Sequence, residues 1–261
     1  MLTIRNYVKA ADLEEAWQLN QKKRNVILGG MLWLRMCNRS IDTAIDLSAL
    51  GLDKIEESET EFSIGCMCTL RDLELHEGLY AYSGAVRAAV KDIVGVQMRN
   101  LATVGGSLYG RYGFSDPLTA FLGLESEVEL YKGGRIPLKE YLHMPYDNDI
   151  LVRVIVKKQD LQCAFECVRN ARTDFSVLNV AVTRAGGRHF AVVGARPMKA
   201  FLVEDEQNLL SEPTDENKRA FAEYVAETVP TGSNLRGSAA YRRHLARVLT
   251  LRALDRIGGQ D

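Results

Sequence analysis

Apolar positions along this chain fall in short runs, and their spacing changes from helical to alternating and back. In DLEEAWQLNQKK (12–23), Leu13, Ala16 and Trp17 share one helical face. Asp12 is placed to cap that helix and Glu15 to close a capping box. NVILGG reads as a short buried strand that ends in Gly29 and Gly30, and IDLSAL (45–50) as another strand. DKIEESETEFSIG reads as a hairpin with polar residues at its turn. Thr69 with Asp72 marks a helix start, and SGAVRAAVKDIV (83–94) is a clearer helix. Asp116-Pro117 supplies a capping residue and a first-turn proline, so LTAFLGLE is expected to be helical. EVELYKGGRIPL predicts a hairpin around Gly133-Gly134, and ILVRVIVKK (150–158) a buried strand.

A polar break, KKQD, follows that strand and suggests a domain boundary near residue 158. Beyond it CAFECVRN, FSVLNVAV and RHFAVVGAR alternate like antiparallel strands, with AGG as a turn. SEPTDENKR opens a helix through FAEYVAETV. A last helix from Ser238 places Tyr241, Leu245, Val248 and Leu249 on one face. Strands and helices mixed without regular alternation predict an α+β chain. Its 261 residues favour two domains over one.

Charge narrows the function classes. The net charge of −1 gives neither the basic footprint of a nucleic-acid binder nor a polybasic membrane patch. No apolar run reaches the roughly 18 residues of a membrane span, and the start turns acidic before any signal-like stretch. A soluble, cytoplasmic protein is expected. Five cysteines, an odd number, argue against a disulfide framework. Cys66 with Cys68, and Cys163 with Cys167, have spacings open to metal ligation. Both pairs lie in apolar runs, where cysteine packs as a small hydrophobe, so no metal is assigned.

Two glycine pairs follow apolar residues, in ILGGM (27–31) and TVGGS (103–107). Backbone N–H groups in such turns converge on a diphosphate with no side chain in the way, though glycine pairs also simply make turns. Neither pair has dinucleotide-fingerprint spacing, and no P-loop is present. Asp116 suits sugar or ribityl hydroxyls and equally suits a helix cap. The four histidines are scattered and no hydrolase motif occurs, which leaves a cofactor carrier as the better-supplied reading.

Five ordered stretches carry a resemblance: VILGG, FSIGCMCTLRDLE, VQMRNLATVGGSL with SDPLTAFLGLE, RTDFSVLNVAV, and LRGSAAYRRHLARVLTLRAL. Together they resemble the FAD-binding medium subunit of molybdenum hydroxylases, of the xanthine dehydrogenase and carbon monoxide dehydrogenase type. The most specific element is QMRNLATVGG, followed by Asp116 ten residues after its second glycine. The resemblance implies a PCMH-type FAD-binding fold of two α+β subdomains (about 1–51 and 52–158). A C-terminal α+β domain like that of the CO dehydrogenase flavoprotein (159–261) would follow. It implies that Ile27, Leu28, Gly29, Gly30, Met31, Leu32 and Trp33 cradle the FAD diphosphate, with Thr103, Val104, Gly105, Gly106 and Ser107 as the second segment. It further implies that Asp116 accepts hydrogen bonds from FAD hydroxyls and that Ile93 and Leu151 line the flavin. Met31 stands where the family often has a hydroxyl residue, and Ser107 where asparagine is common. At the family's flavin-proximal lysine, AFECVR offers Glu166, Cys167 and Arg169.

The function so implied is electron transfer. Electrons would pass from a molybdenum cofactor on a large molybdopterin-binding subunit, through [2Fe–2S] clusters on a small subunit, to this FAD and then to NAD or another acceptor. An FAD-binding or degenerate scaffold that only holds the complex together, without electron transfer of its own, is the alternative, and flavin absorbance after purification addresses it.

Overall fold

The computed structural model describes residues 1–258. In chain order the elements are β1 (Thr3–Lys9), α1 (Leu13–Asn20), β2 (Val26–Leu28), β3 (Ser40–Asp46), β4 (Ile55–Glu57) and β5 (Glu61–Gly65). Five short helices follow: α2 (Leu70–Leu75), α3 (Glu77–Tyr82), α4 (Gly84–Val90), α5 (Val96–Arg99) and α6 (Val104–Tyr109). Next come α7 (Asp116–Gly123), β6 (Glu127–Leu130), β7 (Gly134–Pro137), α8 (Leu138–Tyr141) and β8 (Leu151–Lys157). The last part holds β9 (Leu161–Arg169), β10 (Ser176–Ala185), β11 (Arg188–Gly194), β12 (Phe201–Glu204), α9 (Asp215–Thr228) and α10 (Ala239–Gly258). This is the expected α+β mixture.

The chain forms two compact units. The first joins Met1–Asp72, Val96–Gly110 and Ser126–Lys157; the second joins Leu73–Gly95, Arg111–Glu125 and the chain from Lys158 onward. Residue 158 is thus a crossing point between the units, while α3, α4 and α7 sit with the later residues despite their earlier place in the sequence.

In the first unit, β1, β3 and β2 form a parallel three-stranded sheet, with Ile27 opposite Ile45 and Leu28 opposite Asp46. Parallel strands need a crossover connection, and α1 supplies one before β2. Its N-cap is Asp12, which accepts from the Glu15 N–H at 2.8 Å. Glu15 reaches back one residue further than expected, to the Ala11 N–H at 2.7 Å. The expected strand at 45–50 is a correction: β3 covers residues 40–46 and the chain turns at once. The Asp46 carboxylate takes the Ser48 N–H and hydroxyl at 2.8 and 3.0 Å, an Asx-type turn that ends the strand. A second sheet, ordered β4-β5-β8-β6-β7, is antiparallel and contains both predicted hairpins. Phe62, Ile64, Val154 and Val156 are fully buried within this unit.

In the second unit, β12-β11-β10-β9 form an antiparallel sheet, with α9 and α10 packed on it. The turn between β10 and β11 puts Gly186 and Gly187 at φ of 54° and 79°, as a tight reversal requires. The predicted α10 face is partly corrected. Leu245 and Leu249 are buried, but Tyr241 is exposed and Arg242 takes the buried position beside it.

Candidate functional site

The first glycine turn is built where β2 ends. An added Cβ on Gly30 would lie 1.7 Å from the Leu101 carbonyl oxygen, so backbone passes against backbone there. Gly29 faces the Thr103 hydroxyl in the same way, at 2.8 Å. Met31 then takes φ of 59°, in the left-handed region. The turn closes as the Arg35 N–H bonds the Met31 carbonyl at 3.0 Å. The backbone N–H groups of Gly29, Gly30, Met31 and Leu32 find no acceptor among the described residues. Successive free N–H groups around one left-handed residue form an anion-binding concavity.

The second glycine pair behaves differently. TVGGS was expected to be a turn after an apolar run, yet Val104–Tyr109 is helical, with Thr103 as its cap. The Val104 N–H bonds Cys68 O and the Gly105 N–H bonds Cys66 O, both at 2.8 Å. The Gly106 N–H goes to the Thr103 hydroxyl at 3.1 Å, and the Ser107 hydroxyl donates to the Thr103 carbonyl at 2.9 Å. These donors are committed inside the chain, unlike those of the first turn. The two glycines also have separate reasons to be glycine. A Cβ on Gly105 would meet Cys66 Cβ at 2.8 Å, whereas one on Gly106 meets only Thr103 Oγ1, at 3.1 Å. Gly105 is held by internal packing, while Gly106 leaves its surface open.

A cleft of about 290 Å³ in the first unit is lined by residues of both glycine segments. Of the sequence-predicted residues, Ile27, Leu28, Gly29, Thr103, Gly105, Gly106 and Leu151 line it. Asn20, Asn25, Leu47, Cys66, Met67, Tyr109, Asn148, Asp149 and Ile150 complete the wall. Gly30, Met31, Leu32, Trp33, Val104 and Ser107 belong to the same two segments without lining the cleft. Sequence reasoning missed Asn25; its signal is a polar residue at the head of an apolar strand.

Ile93 and Asp116 belong to the second unit. Ile93 is half-buried and its N–H bonds the Val90 carbonyl at 3.0 Å. Asp116 is only 3% exposed. It is the first residue of α7 rather than the cap, because the Ser115 hydroxyl takes that place and accepts from the Leu118 N–H. Its Oδ1 accepts from the Ser176 hydroxyl at 2.6 Å and from the Asn179 side-chain amide. Its Oδ2 pairs with Arg169 Nη2 at 2.6 Å. Most of the acceptor capacity expected to serve a ligand is therefore engaged within the unit. Arg169 is held in turn by the Asp174 carbonyl at 2.6 Å. The signal for this network was Asn179, an amide inside the otherwise apolar run FSVLNVAV.

Cys66, Cys68 and Cys163 are buried, and burial pushes each thiol up to about 12. They pack as apolar side chains in the neutral form. Among the described residues no group of three or more His, Cys, Asp or Glu side chains is placed to hold a metal ion.

Residues 2–158 match the family model described as the FAD binding domain in molybdopterin dehydrogenase. Residues 163–257 match that of the CO dehydrogenase flavoprotein C-terminal domain. The chain belongs to this flavoprotein family. Within it, the glyceraldehyde dehydrogenase medium chain of Sulfolobus acidocaldarius is 24% identical over 97% of this chain and 98% of that one. The nicotine 6-hydroxylase medium subunit of Paenarthrobacter nicotinovorans is 27% identical over 97% of each. The fold is that of a carbon monoxide dehydrogenase chain from Hydrogenophaga pseudoflava, with a TM-score of 0.86 at 22% identity, covering 97% of both chains. A chain of quinoline 2-oxidoreductase from Pseudomonas putida gives 0.82 at 19% identity, over 100% of this chain and 98% of that one.

FAD is the cofactor of this family, and the first glycine turn fits it. A diphosphate needs several N–H donors without competing carboxylates, and that turn offers a row of them. Met31 contributes no hydroxyl, but its left-handed backbone is what shapes the concavity.

Proposed function

We propose that this chain is the FAD-binding medium subunit of a multi-subunit molybdenum hydroxylase. In this reading a large molybdopterin-binding subunit carries the molybdenum cofactor and a small subunit the [2Fe–2S] clusters. Electrons leave through FAD to NAD or another acceptor, in the cytoplasm. Among the described residues no helix is long and apolar enough to cross a membrane.

The observation that carries the proposal is the row of uncommitted N–H groups from Gly29 to Leu32, beside a cleft walled by Ile27, Leu28, Gly106 and Leu151. When bound, FAD supplies the redox chemistry. The residues of this chain hold the diphosphate, exclude water from the apolar wall and fix the cofactor's position. The names of the two medium-subunit relatives support the same assignment.

The commitment of Asp116 and of the Gly105 and Gly106 N–H groups favours a second reading, a subunit that retains FAD weakly and serves as scaffold. One preparation separates the two. The purified chain is expected to be yellow and to release FAD, identified by mass, near one per chain. Release of FMN alone, or of no flavin, overturns the FAD-binding proposal; substoichiometric FAD, readily lost on dialysis, favours the scaffold.

A further inference from the structure

Five large apolar side chains that reach solvent in the second unit fall along one strip. Tyr112 and Phe114 stack with 5.2 Å between ring centres, and Phe114 packs edge-on against Phe175 at 4.9 Å. Met198 backs onto the same turn, because its carbonyl oxygen lies 2.5 Å from where Gly113 would carry a Cβ. On the other side, the Arg236 guanidinium covers the Phe175 ring at 4.9 Å. Leu235 immediately precedes Arg236, and the Tyr241 ring comes within 3.3 Å of the Cβ position of Gly237. Tyr112, Phe114, Met198 and Tyr241 expose 36–44% of their surface, and Leu235 all of it. Single exposed apolar residues are ordinary on a protein surface. Five along one strip, with Arg236 among them, have the residue types of an interface core.

The strip is rigidly mounted. Asn234 and Gly237 exchange N–H to carbonyl bonds at 3.1 and 3.2 Å, and Asn234 Oδ1 accepts from the Arg236 N–H at 2.9 Å. Arg236 is tied to Asp174 at 3.2 Å, and its carbonyl accepts from the Asn170 amide at 3.4 Å. These bonds join the loop before α10 to the turn between β9 and β10. The buried Arg242 holds the same loop through the Gly232 and Gly237 carbonyls. Leu235 is thus presented in one place, and little ordering entropy is lost when a partner covers it.

Charge narrows the partner. The exposed bases along the strip are Arg172, Lys199 and Arg243, with Arg236 half-buried. Two carboxylates meet them, Asp92 with Arg172 at 3.0 Å and Asp174 with Arg236 at 3.2 Å. Arg243 has no partner among the described residues. An apolar centre beside unpaired positive charge is complemented by an acidic surface. The net charge of −1 over the whole chain disfavours a nucleic acid as that surface and favours a protein.

We propose that this strip is the docking surface for another protein chain of the complex, one that offers an apolar pocket to Leu235 and acidic side chains to Arg243. The proposal rests on the subunit reading above and makes no use of the FAD site.

The test uses the tagged full chain purified from its native cells, with the copurifying chains and the flavin content measured together. Leu235→Asp places a charge where the pocket would close, and Arg243→Glu reverses the unpaired guanidinium. Each is expected to lower recovery of one copurifying chain about tenfold or more, with flavin content and circular dichroism unchanged. Arg243→Lys, which keeps the charge, is expected to restore recovery. A photo-crosslinking amino acid in place of Leu235 is expected to join the same copurifying chain, through a peptide rich in Asp and Glu. Undiminished recovery of every chain by both Leu235→Asp and Arg243→Glu overturns the docking surface while the subunit reading stands. Crosslinks to RNA, to lipid or to a second copy of this chain overturn it as well. Loss of flavin by a folded Leu235→Asp that keeps its partners assigns the strip to the cofactor and overturns the proposal. A wild type that copurifies with no other chain overturns both readings. If Leu235→Asp fails to fold, the two Arg243 variants and the crosslink decide.

Discussion

Gly30, Gly105 and Gly106 look alike in the sequence, and only their surroundings distinguish a glycine kept for packing from one kept for a ligand. Substituting Gly30→Ala forces a methyl group into the Leu101 carbonyl, and backbone cannot swing aside as a flexible side chain can. Its expected cost is about 3 kcal/mol or more, toward the upper end for overpacking. Gly105→Val is expected to disturb the fold similarly through Cys66. Gly106→Val meets only the Thr103 hydroxyl and is expected to unfold within about 1 kcal/mol of wild type. It is nevertheless expected to lose bound FAD, because its side chain would fill the cleft. Thermal unfolding together with flavin stoichiometry separates the three variants. A folded Gly106→Val carrying a full complement of FAD would show that this glycine does not face the cofactor. The sequence contained both glycine pairs but could not rank them, since the Leu101 carbonyl that Gly30 meets and the Cys66 that Gly105 meets are each distant in the chain from the glycine they touch.

Elements were legible where periodicity and caps agree. The hairpins and the strands β8 to β11 follow from alternation, and α9 begins at the cap Thr214, which accepts from the Asn217 N–H. The short helix α6 was not legible, because two glycines lower helix propensity and only the Thr103 cap and bonds to Cys66 and Cys68 hold it. The face of α10 was misread at one position, because the hydrophobic pattern excludes an arginine. Arg242 is 1% exposed and donates to the carbonyls of Val177, Gly232 and Gly237 and to Asn234 Oδ1. It joins α10 to β10 and to the loop before the helix. Arg242→Leu removes all four bonds, the one to the buried Val177 carbonyl among them, with an expected loss of about 3 kcal/mol. Arg242→Lys is expected to recover little, because an ammonium cannot span the four acceptors of a planar guanidinium. Urea unfolding checks both, and a stable Arg242→Lys would show that charge, rather than the fork, is what matters. On β11, burial holds the His189 imidazole below its ordinary value of 6.5. The unfolded chain therefore takes up the proton first as pH falls, so stability is complete above about pH 6.5 and declines below it, toward the folded pKa. His189→Gln is expected to flatten that part of the melting-temperature profile, and an unchanged slope would assign the acid sensitivity to other groups.

At the scale of the whole molecule, nearly every described residue falls within one of two family models, and the functional groups they contain are fitted to hold a cofactor. The cleft is walled by apolar side chains, amide oxygens and a thiol held at about 12, with Asp149 already engaged by three N–H groups. Under the proposed function substrate oxidation belongs to other chains, and the prediction concerns assembly. Affinity purification of the tagged chain from its native cells is expected to recover two partners, one much larger and containing molybdenum, the other smaller and containing [2Fe–2S] clusters. The recovered complex is expected to oxidise an organic substrate, whereas the isolated, FAD-loaded chain is not. Slow reduction of a dye by NADH with the isolated chain is compatible with this outcome, because that reaction needs only the FAD site. Turnover of a purine, an aldehyde or an N-heterocycle by a monodisperse preparation of this chain alone would overturn the subunit assignment. Recovery of the chain from its native cells with no partner would do the same.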